Sequence, residues 1–468
     1  MKGKYRALIK DVLLFTLSTF LPKAISFFLV PLYTNCLTTA EYGVADLVST
    51  TVSLIIPFLT LDINDAVMRF TIESKEDSRP FKYAFASVLR GILIVIAAVA
   101  FNDLFHLINV DKPIELFFVL NYSFISLYGI CIAYLRATDR VGILSMVSVM
   151  ITVVTICSNI LCLLVFKLGL IGYMISGSVG YIIADVYILI YIRADRILRT
   201  PTPIDKDLKK QMLAYSVPLI AANISWWINS SSDRYIVTAL RDVDENGVYS
   251  VAYKIPTILQ MLQSVFSQAW LLSVFREYKS ENGPIYVSRI YELYYIAMSL
   301  ACSVLIIFDI PLAKFLYAKD FFTAWRFVPY LLISVVFIAN AGFFESMLTL
   351  QKKSKVVATT TVIGAVVNIV LNFILIYYIG AMGAAIATAC GYLVMWVTRI
   401  RIVMRDYPFK VKWLKQVMMY LLLIIESTIM VVLQNYALCI CIMVLMCLLN
   451  FKEIMQIAKM VFDKIKRA

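Results

Sequence analysis

Of the 468 residues, 61% are hydrophobic and only 16% are charged, against about 25% charged in a typical soluble domain; that is too little polar side chain to coat a water-soluble surface, so the chain reads as a membrane protein. At about 33 residues per span with its connection, the length accommodates about fourteen spans and leaves no room for a soluble catalytic domain. Lys and Arg outnumber Asp and Glu by 43 to 30, a formal net charge of +13, and an excess confined to loops speaks of membrane topology and not of nucleic acid.

The basic residues 1–10 run straight into an apolar stretch at 12–34, which is too long for a signal-peptide core and has no small-residue cleavage pattern after it, so it is kept as the first span. Apolar runs bounded by charge clusters then predict spans at 43–66, 83–102, 114–135, 143–166 and 170–192, and a second group at 212–238, 248–272, 290–313, 327–350, 356–379 and 383–404. Two more follow at 414–433 and 436–450, divided only by Gln434, Asn435 and Tyr436, so twelve spans with a re-entrant hairpin is the alternative. The tail 451–468 sets Phe451, Ile454, Ile457, Val461, Phe462 and Ile465 on one helical stripe with lysines around it, the pattern of an interfacial amphipathic helix on the cytoplasmic leaflet. The expected fold class is an all-α polytopic membrane protein of about fourteen transmembrane helices. Its domains are a six-helix lobe at 1–200, a second at 201–405, two additional helices at 406–450 and the tail at 451–468.

One set of alternate loops holds most of the basic residues, with the largest clusters from Arg193 to Lys210 and from Arg399 to Lys415, whereas the opposite set holds only Lys112, Lys167, Arg241, Lys314, Lys319 and Arg326. The positive-inside rule therefore puts both termini in the cytoplasm. Those two clusters divide the chain into halves, and an internal repeat supports the division. Gly169, Gly172, Ile175, Gly180 and Tyr181 recur as Gly380, Gly383, Ile386, Gly391 and Tyr392, and Glu41-Tyr42-Gly43-Val44 resembles Glu245-Asn246-Gly247-Val248. Six spans separate the copies, so the repeat is parallel, and two bundles related in this way commonly line a central cavity.

Four cations, Lys23, Arg90, Arg234 and Lys254, fall within the spans, where each must face protein, face water or snorkel. Lys23 lies deepest and favours a cavity role over an ion pair; for Arg90 and Lys254, about two turns from span ends, snorkelling competes with a cavity role. Arg234 follows Asp233, and because successive helix residues diverge by about 100°, a partner on another helix or in a substrate fits it better than its neighbour. Asn368 and Asn372 share a helix face and would add neutral donors to a wet lining suited to a hydroxyl-rich cargo, while interhelical hydrogen bonding is their structural alternative. Glu345 and Asp185 are the acids to consider for ion coupling, each equally readable as half of a structural pair. Nine scattered cysteines without a CxxC pair read as small apolar packers. No catalytic constellation, phosphate loop or metal-ligand cluster is apparent, and no cofactor is expected.

The stretch Leu29-Val30-Pro31-Leu32-Tyr33-Thr34, Glu41-Tyr42-Gly43, Asp46-Leu47 and Arg69-Phe70, with Ser232-Asp233-Arg234-Tyr235-Ile236, the run from Gly247 to Ile255, and Gln268-Ala269-Trp270, resembles the signature of bacterial Wzx-type oligosaccharide flippases. The resemblance spans about residues 12 to 405, and it places the chain in the superfamily that also holds multidrug extruders and peptidoglycan-precursor flippases. It implies two six-helix lobes and alternating-access movement of undecaprenyl-diphosphate-linked oligosaccharide from the cytoplasmic to the outer leaflet of the bacterial inner membrane, with no enzymatic activity. The partners implied are that lipid-linked cargo and the bilayer, with the polysaccharide polymerase machinery as a further candidate. Under this reading Lys23, Arg90, Arg234 and Lys254 hold the diphosphate. A cation-coupled multidrug extruder and a lipid II flippase are the alternatives.

Overall fold

The computed structural model describes residues 24–455 apart from 75–76, 108–109, 201–204 and 279. The described chain is helical throughout its length, without strands among those residues. Eleven of its helices are long and apolar enough to cross a membrane: α2 (Thr39–Thr60), α4 (Arg79–Phe105), α5 (Lys112–Ala137), α6 (Val141–Val165), α7 (Gly169–Tyr191), α11 (Pro256–Glu277), α12 (Gly283–Ile307), α14 (Val328–Leu350), α15 (Ser354–Ile379), α16 (Ala381–Asp406) and α17 (Trp413–Leu433). Two shorter apolar helices, α1 (Ala24–Cys36) and α18 (Tyr436–Leu449), and the long α9 (Lys206–Leu240), whose polar content lowers its hydropathy, occupy the other predicted runs. The remaining described α-helices are α3 (Ile63–Glu73), α8 (Ala194–Arg199), α10 (Val243–Ala252) and α13 (Asp309–Leu316). The protein is a polytopic all-α membrane protein, and its many exposed Leu, Ile, Val and Phe side chains, such as Leu93 and Ile190, are what a lipid-facing surface requires.

The chain forms two compact units, 1–227 and 228–468. The division falls inside α9, later than the charge cluster that marks the halves in the sequence.

In the first unit the second predicted span is not one helix. Pro57 cannot donate to the helical ladder, and Leu61 and Asp62 both take left-handed backbone angles (φ 56° and 51°) between α2 and α3. Two residues of α9 pin that break: Ser216 Oγ donates to the Leu61 carbonyl at 2.7 Å, and Asn223 Nδ2 donates to Asp62 Oδ2 at 2.7 Å. Asp62 is therefore part of a braced kink, and further along α3 Arg69 bridges to Glu73 at 3.5 Å. Around it Phe81, Ile130, Tyr134, Val147, Ile188 and Met212 pack as one buried apolar cluster.

The second unit packs around α14, whose Leu331, Val336, Phe343, Phe344 and Met347 are all buried. Phe266 stacks on Tyr294 at 3.9 Å between centroids and Trp270 on Phe343 at 4.1 Å. The eighth predicted span is also interrupted: Pro256 has no N–H to continue the helical ladder, and Tyr253, Lys254 and Ile255 form a turn between α10 and α11 although Ile255 keeps helical backbone angles.

The internal repeat has a structural counterpart in each unit. Thr38 and Glu41 form a capping box at the start of α2, and Asp242 caps α10 by accepting from the Glu245 backbone N–H at 2.6 Å; in both helices the glutamate is the third residue. Each glutamate meets the glycine that opens the last helix of its repeat. A Cβ on Gly169 (φ 56°) would lie 3.2 Å from Glu41 Oε1, and one on Gly380 (φ 62°) would lie 2.4 Å from Glu245 Oε1. The two repeated sequence patches are thus the two sides of one contact, built twice.

Candidate functional site

The first unit offers a cleft of about 250 Å³ lined by Ile63 of α3, by Tyr83, Ser87 and Arg90 of α4, and by Lys209 and Met212 of α9. Its walls are fixed by hydrogen bonds that tie α4 to the start of α9. The Tyr83 hydroxyl accepts from the Asp205 backbone N–H at 2.8 Å and donates to the Asp205 carbonyl at 3.1 Å. Arg79 reaches the Asp205 carboxylate at 3.1 Å and the Asp77 carboxylate at 2.9 Å. Burial alone would raise the Asp77 carboxyl, but the hydrogen bonds and charge of Arg79 outweigh it and hold Asp77 below the ordinary carboxylate range. Within the cleft, Arg90 Nη2 donates to Ser87 Oγ at 3.1 Å, and Ser87 in turn donates to the Thr60 carbonyl at 3.0 Å. Arg90 is exposed, and its guanidinium is drawn one turn back along α4 toward Arg79. Lys23, the other cation assigned to this half, lies outside the described residues.

Asp185 of α7 is buried at 1% exposure, and neither of its carboxylate oxygens has a hydrogen-bond partner among the described residues. It stands near Tyr128, Tyr181 and Cys131.

In the second unit the residues singled out in the sequence converge more closely. Asp233, in α9, accepts from the Tyr249 hydroxyl at 2.6 Å and the Tyr253 hydroxyl at 2.7 Å. Thr388 of α16 reaches the same carboxylate oxygen at 3.5 Å. Thr388 also accepts from Asn368 Nδ2 at 3.2 Å, and Asn368 Oδ1 accepts from Asn372 Nδ2 at 3.0 Å. Arg234 lies with its guanidinium 5.3 Å from the centre of the Tyr253 ring, a cation–π distance, and Lys254 is half-buried in the turn that follows Tyr253. Asn368 and Asn372 are fully buried, so they act as links in an interhelical chain that steadies Asp233 and not as an open lining. Among the described residues there is no group of three His, Cys, Asp or Glu side chains suited to a metal.

Glu345 is engaged by a cation that the sequence reading placed among the cytoplasmic loop charges. Arg399 sits within α16 at 1% exposure, where it donates to Glu345 Oε2 at 2.7 Å, to Thr360 Oγ1 at 3.1 Å, to Thr361 Oγ1 at 2.9 Å and to the Ala341 carbonyl at 3.2 Å. The helix runs on to Asp406, which carries Arg399 inside the bundle. Tyr249, Tyr253, Thr388 and Lys209 were likewise not singled out; the i, i+4 spacing of the two tyrosines behind Asp233-Arg234 was the one available signal, whereas Thr388 sits in an alanine-rich stretch that gives none.

The family model for polysaccharide biosynthesis proteins matches residues 8–279. No curated protein matches the chain in sequence. Among solved structures, the fold is similar to that of the lipid II flippase MurJ in an inward closed conformation, at 15% identity and a TM-score of 0.69, covering 94% of this chain and 100% of that one. It is also similar to an inward-facing multidrug resistance transporter of the MATE family within the MOP superfamily, at 13% identity and a TM-score of 0.60, covering 84% and 96% of the two chains. A MOP superfamily transporter from Pyrococcus furiosus matches at 12% identity and a TM-score of 0.57, covering 85% of this chain and 96% of that one. At these identities the likeness is one of fold.

Proposed function

We propose, because the chain belongs to the polysaccharide biosynthesis protein family, that it is a flippase that moves undecaprenyl-diphosphate-linked oligosaccharide from the cytoplasmic to the outer leaflet of a bacterial inner membrane. Transport proceeds by alternating access, with both termini in the cytoplasm. The observation that supports the reading is that Arg90 falls in a helix long and apolar enough to cross a membrane and Arg234 in the long, more polar α9, one in each unit of a fold similar to that of a lipid II flippase. A diphosphate cannot enter hydrocarbon bare, and fixed guanidinium groups supply charge-assisted hydrogen bonds to it. Lys23 and Lys254 add point charges to the same task. A multidrug extruder for organic cations would need the opposite sign of charge at these positions.

The cargo is anionic and moves outward, so an inside-negative potential already favours it by about 2.3 kcal/mol per charge per 100 mV. Where an ion also contributes, Asp185 and Glu345 are the acids to consider, and the Arg399 partner of Glu345 leaves Asp185 the better suited.

The test is translocation by the purified chain in proteoliposomes, with defined lipid-linked saccharides, lipid II among them, under imposed proton, sodium and voltage gradients. Export of the undecaprenyl-diphosphate oligosaccharide is expected, abolished in Lys23→Ala and Arg234→Ala and partly kept in Lys23→Arg. Wild-type rates in both alanine variants would remove the phosphate role, and transport of lipid II alone would replace the cargo.

A further inference from the structure

Two cations share the first-unit cleft, Arg90 on α4 and Lys209 in the first turn of α9, and among the described residues no carboxylate lines it. Neither forms an ion pair with a described residue; Arg90 spends one donor on Ser87 and keeps the rest of its guanidinium fork. Arg90 lies about 16 Å along the helix axis from Arg79, deep enough that an unneutralised charge is costly. A second cation in the same small volume adds repulsion to that cost. The surrounding structure is built to hold this arrangement. The Tyr83 and Arg79 contacts with Asp205 fix the register of α9 against α4, the Ser87 hydroxyl turns Arg90 toward the end of α4 where Lys209 stands, and the remaining walls, Ile63, Ala86, Met212 and Leu213, are apolar. At about 250 Å³, the cleft is several times the ~30 Å³ share of one water.

We propose that this cleft is a binding site for the phosphoryl headgroup of a membrane lipid, with Lys209 attracting the headgroup at the mouth and Arg90 holding it bidentately at depth. Arg offers planar, paired donors to a phosphoryl group and Lys a flexible point charge, so a deep Arg and a shallow Lys suit capture followed by fixation. The positive-inside rule puts the mouth on the cytoplasmic side, beside Lys206 and Lys210. The proposal rests on the flippase reading only for the source of the headgroup: the cargo's own diphosphate, engaged before translocation, or the bulk anionic lipid of the leaflet.

The experiment uses the full chain in nanodiscs of zwitterionic lipid, with a short-chain polyprenyl diphosphate, phosphatidylglycerol and inorganic phosphate as separate probes, retention being read by native mass spectrometry. Wild-type protein is expected to retain at least one of the two lipids, and R90Q/K209Q at least tenfold less, with R90K between them. K209E changes only the first turn of a helix; it keeps the test available if the double variant fails to fold, and it too is expected to lose at least tenfold. Preference for the diphosphate assigns the cleft to the cargo, and equal or better retention of phosphatidylglycerol assigns it to the bulk lipid; both support the proposal. Retention unchanged in the folded variants, or binding of inorganic phosphate with neither lipid, overturns it. Loss of retention with wild-type translocation leaves the cleft standing and removes Arg90 from the transport reading. Loss of translocation with unchanged retention does the reverse.

Discussion

Replacing Gly380 by Ala should destabilise the protein far more than replacing its repeat partner Gly169. Gly380 has φ 62° and ψ −151°, a region open essentially to glycine alone, and an alanine forced there costs about 1–3 kcal/mol in backbone strain. Its new Cβ would stand 2.4 Å from Glu245 Oε1, the atom that accepts from the Ala381 backbone N–H at 2.5 Å. Relieving the clash moves the carboxylate and forfeits a hydrogen bond to a charged group, about 1.5–3 kcal/mol more. The expected total is about 2.5–6 kcal/mol. At Gly169 (φ 56°) the left-handed backbone costs an alanine about 1–2 kcal/mol. There the Cβ would lie 3.2 Å from Glu41 Oε1, tight but relieved by a few tenths of an ångström of carboxylate movement, while the other oxygen, Oε2, holds the Thr38 backbone N–H at 2.8 Å, so the capping box survives. Reversible unfolding in mixed micelles by a denaturing detergent measures both variants, and a double-mutant cycle with Glu245→Ala isolates the contact. In the Glu245→Ala background Gly380→Ala should cost only the strain, leaving a coupling of about 1.5–3 kcal/mol. Equal destabilisation by the two glycine variants, or an additive cycle, would refute the reasoning.

That contact also shows how far the sequence could be read. The glycine repeat and the two glutamates were visible as patterns, because a positive-φ glycine and a third-residue glutamate are local requirements that leave local signatures. What the patterns could not state is that each glutamate meets the glycine of the other patch, since that depends on helices far apart in the chain. Apolar runs likewise located the spans, yet the breaks at Leu61-Asp62 and at Tyr253 to Ile255 were hidden, since Pro57 and Pro256 are compatible with either a kink or a continuous span. For the site, position within a run drew attention to Arg90 and Arg234 without giving what they touch, Ser87 and the Tyr253 ring. It misplaced Arg399, because a buried arginine near a helix end and a cytoplasmic one have the same sequence context; only the hydroxyls of Thr360 and Thr361, brought from the neighbouring span, distinguish them. The same limit applies to Asn368 and Asn372, whose shared face was legible while their partner Thr388 was not.

Three further outcomes follow from the ion pairs and buried acids. Arg399→Met should cost about 2–4 kcal/mol of stability, because it removes the buried guanidinium's hydrogen bonds to two threonine hydroxyls and a carbonyl together with its ion pair to Glu345. Glu345→Gln should cost under about 1 kcal/mol, since its side chain is 46% exposed and an amide keeps a hydrogen-bond acceptor for the arginine; the reverse order of effects would mean the glutamate is the structural member. At the C-terminal end, Glu453 bridges Lys412 at 3.2 Å and Lys415 at 2.8 Å. Burial alone would raise its carboxyl, but the hydrogen bond from Lys415, then its own backbone N–H and Lys412, hold it at about 2. A depressed carboxylate stabilises above its unfolded value, so protection of residues 451–455 from hydrogen exchange should be full at neutral pH and fall as pH drops from about 4.5 toward 2; protection unchanged at pH 3 relative to neutral would show that the bridges do not hold the segment. The last outcome separates the two acids considered for coupling. Glu345 already has its charge met by Arg399 in the structure, so a proton arriving there would have to break that pair. Asp185 is buried with neither oxygen hydrogen-bonded to a described residue, and a lone carboxylate in that setting is far more costly than a carboxylic acid. Asp185→Asn should therefore lose the stimulation of translocation by a proton gradient while keeping that by voltage, and Glu345→Gln should keep both. Gradient stimulation that survives Asp185→Asn, or disappears only in Glu345→Gln, would place proton coupling away from Asp185 despite its isolation.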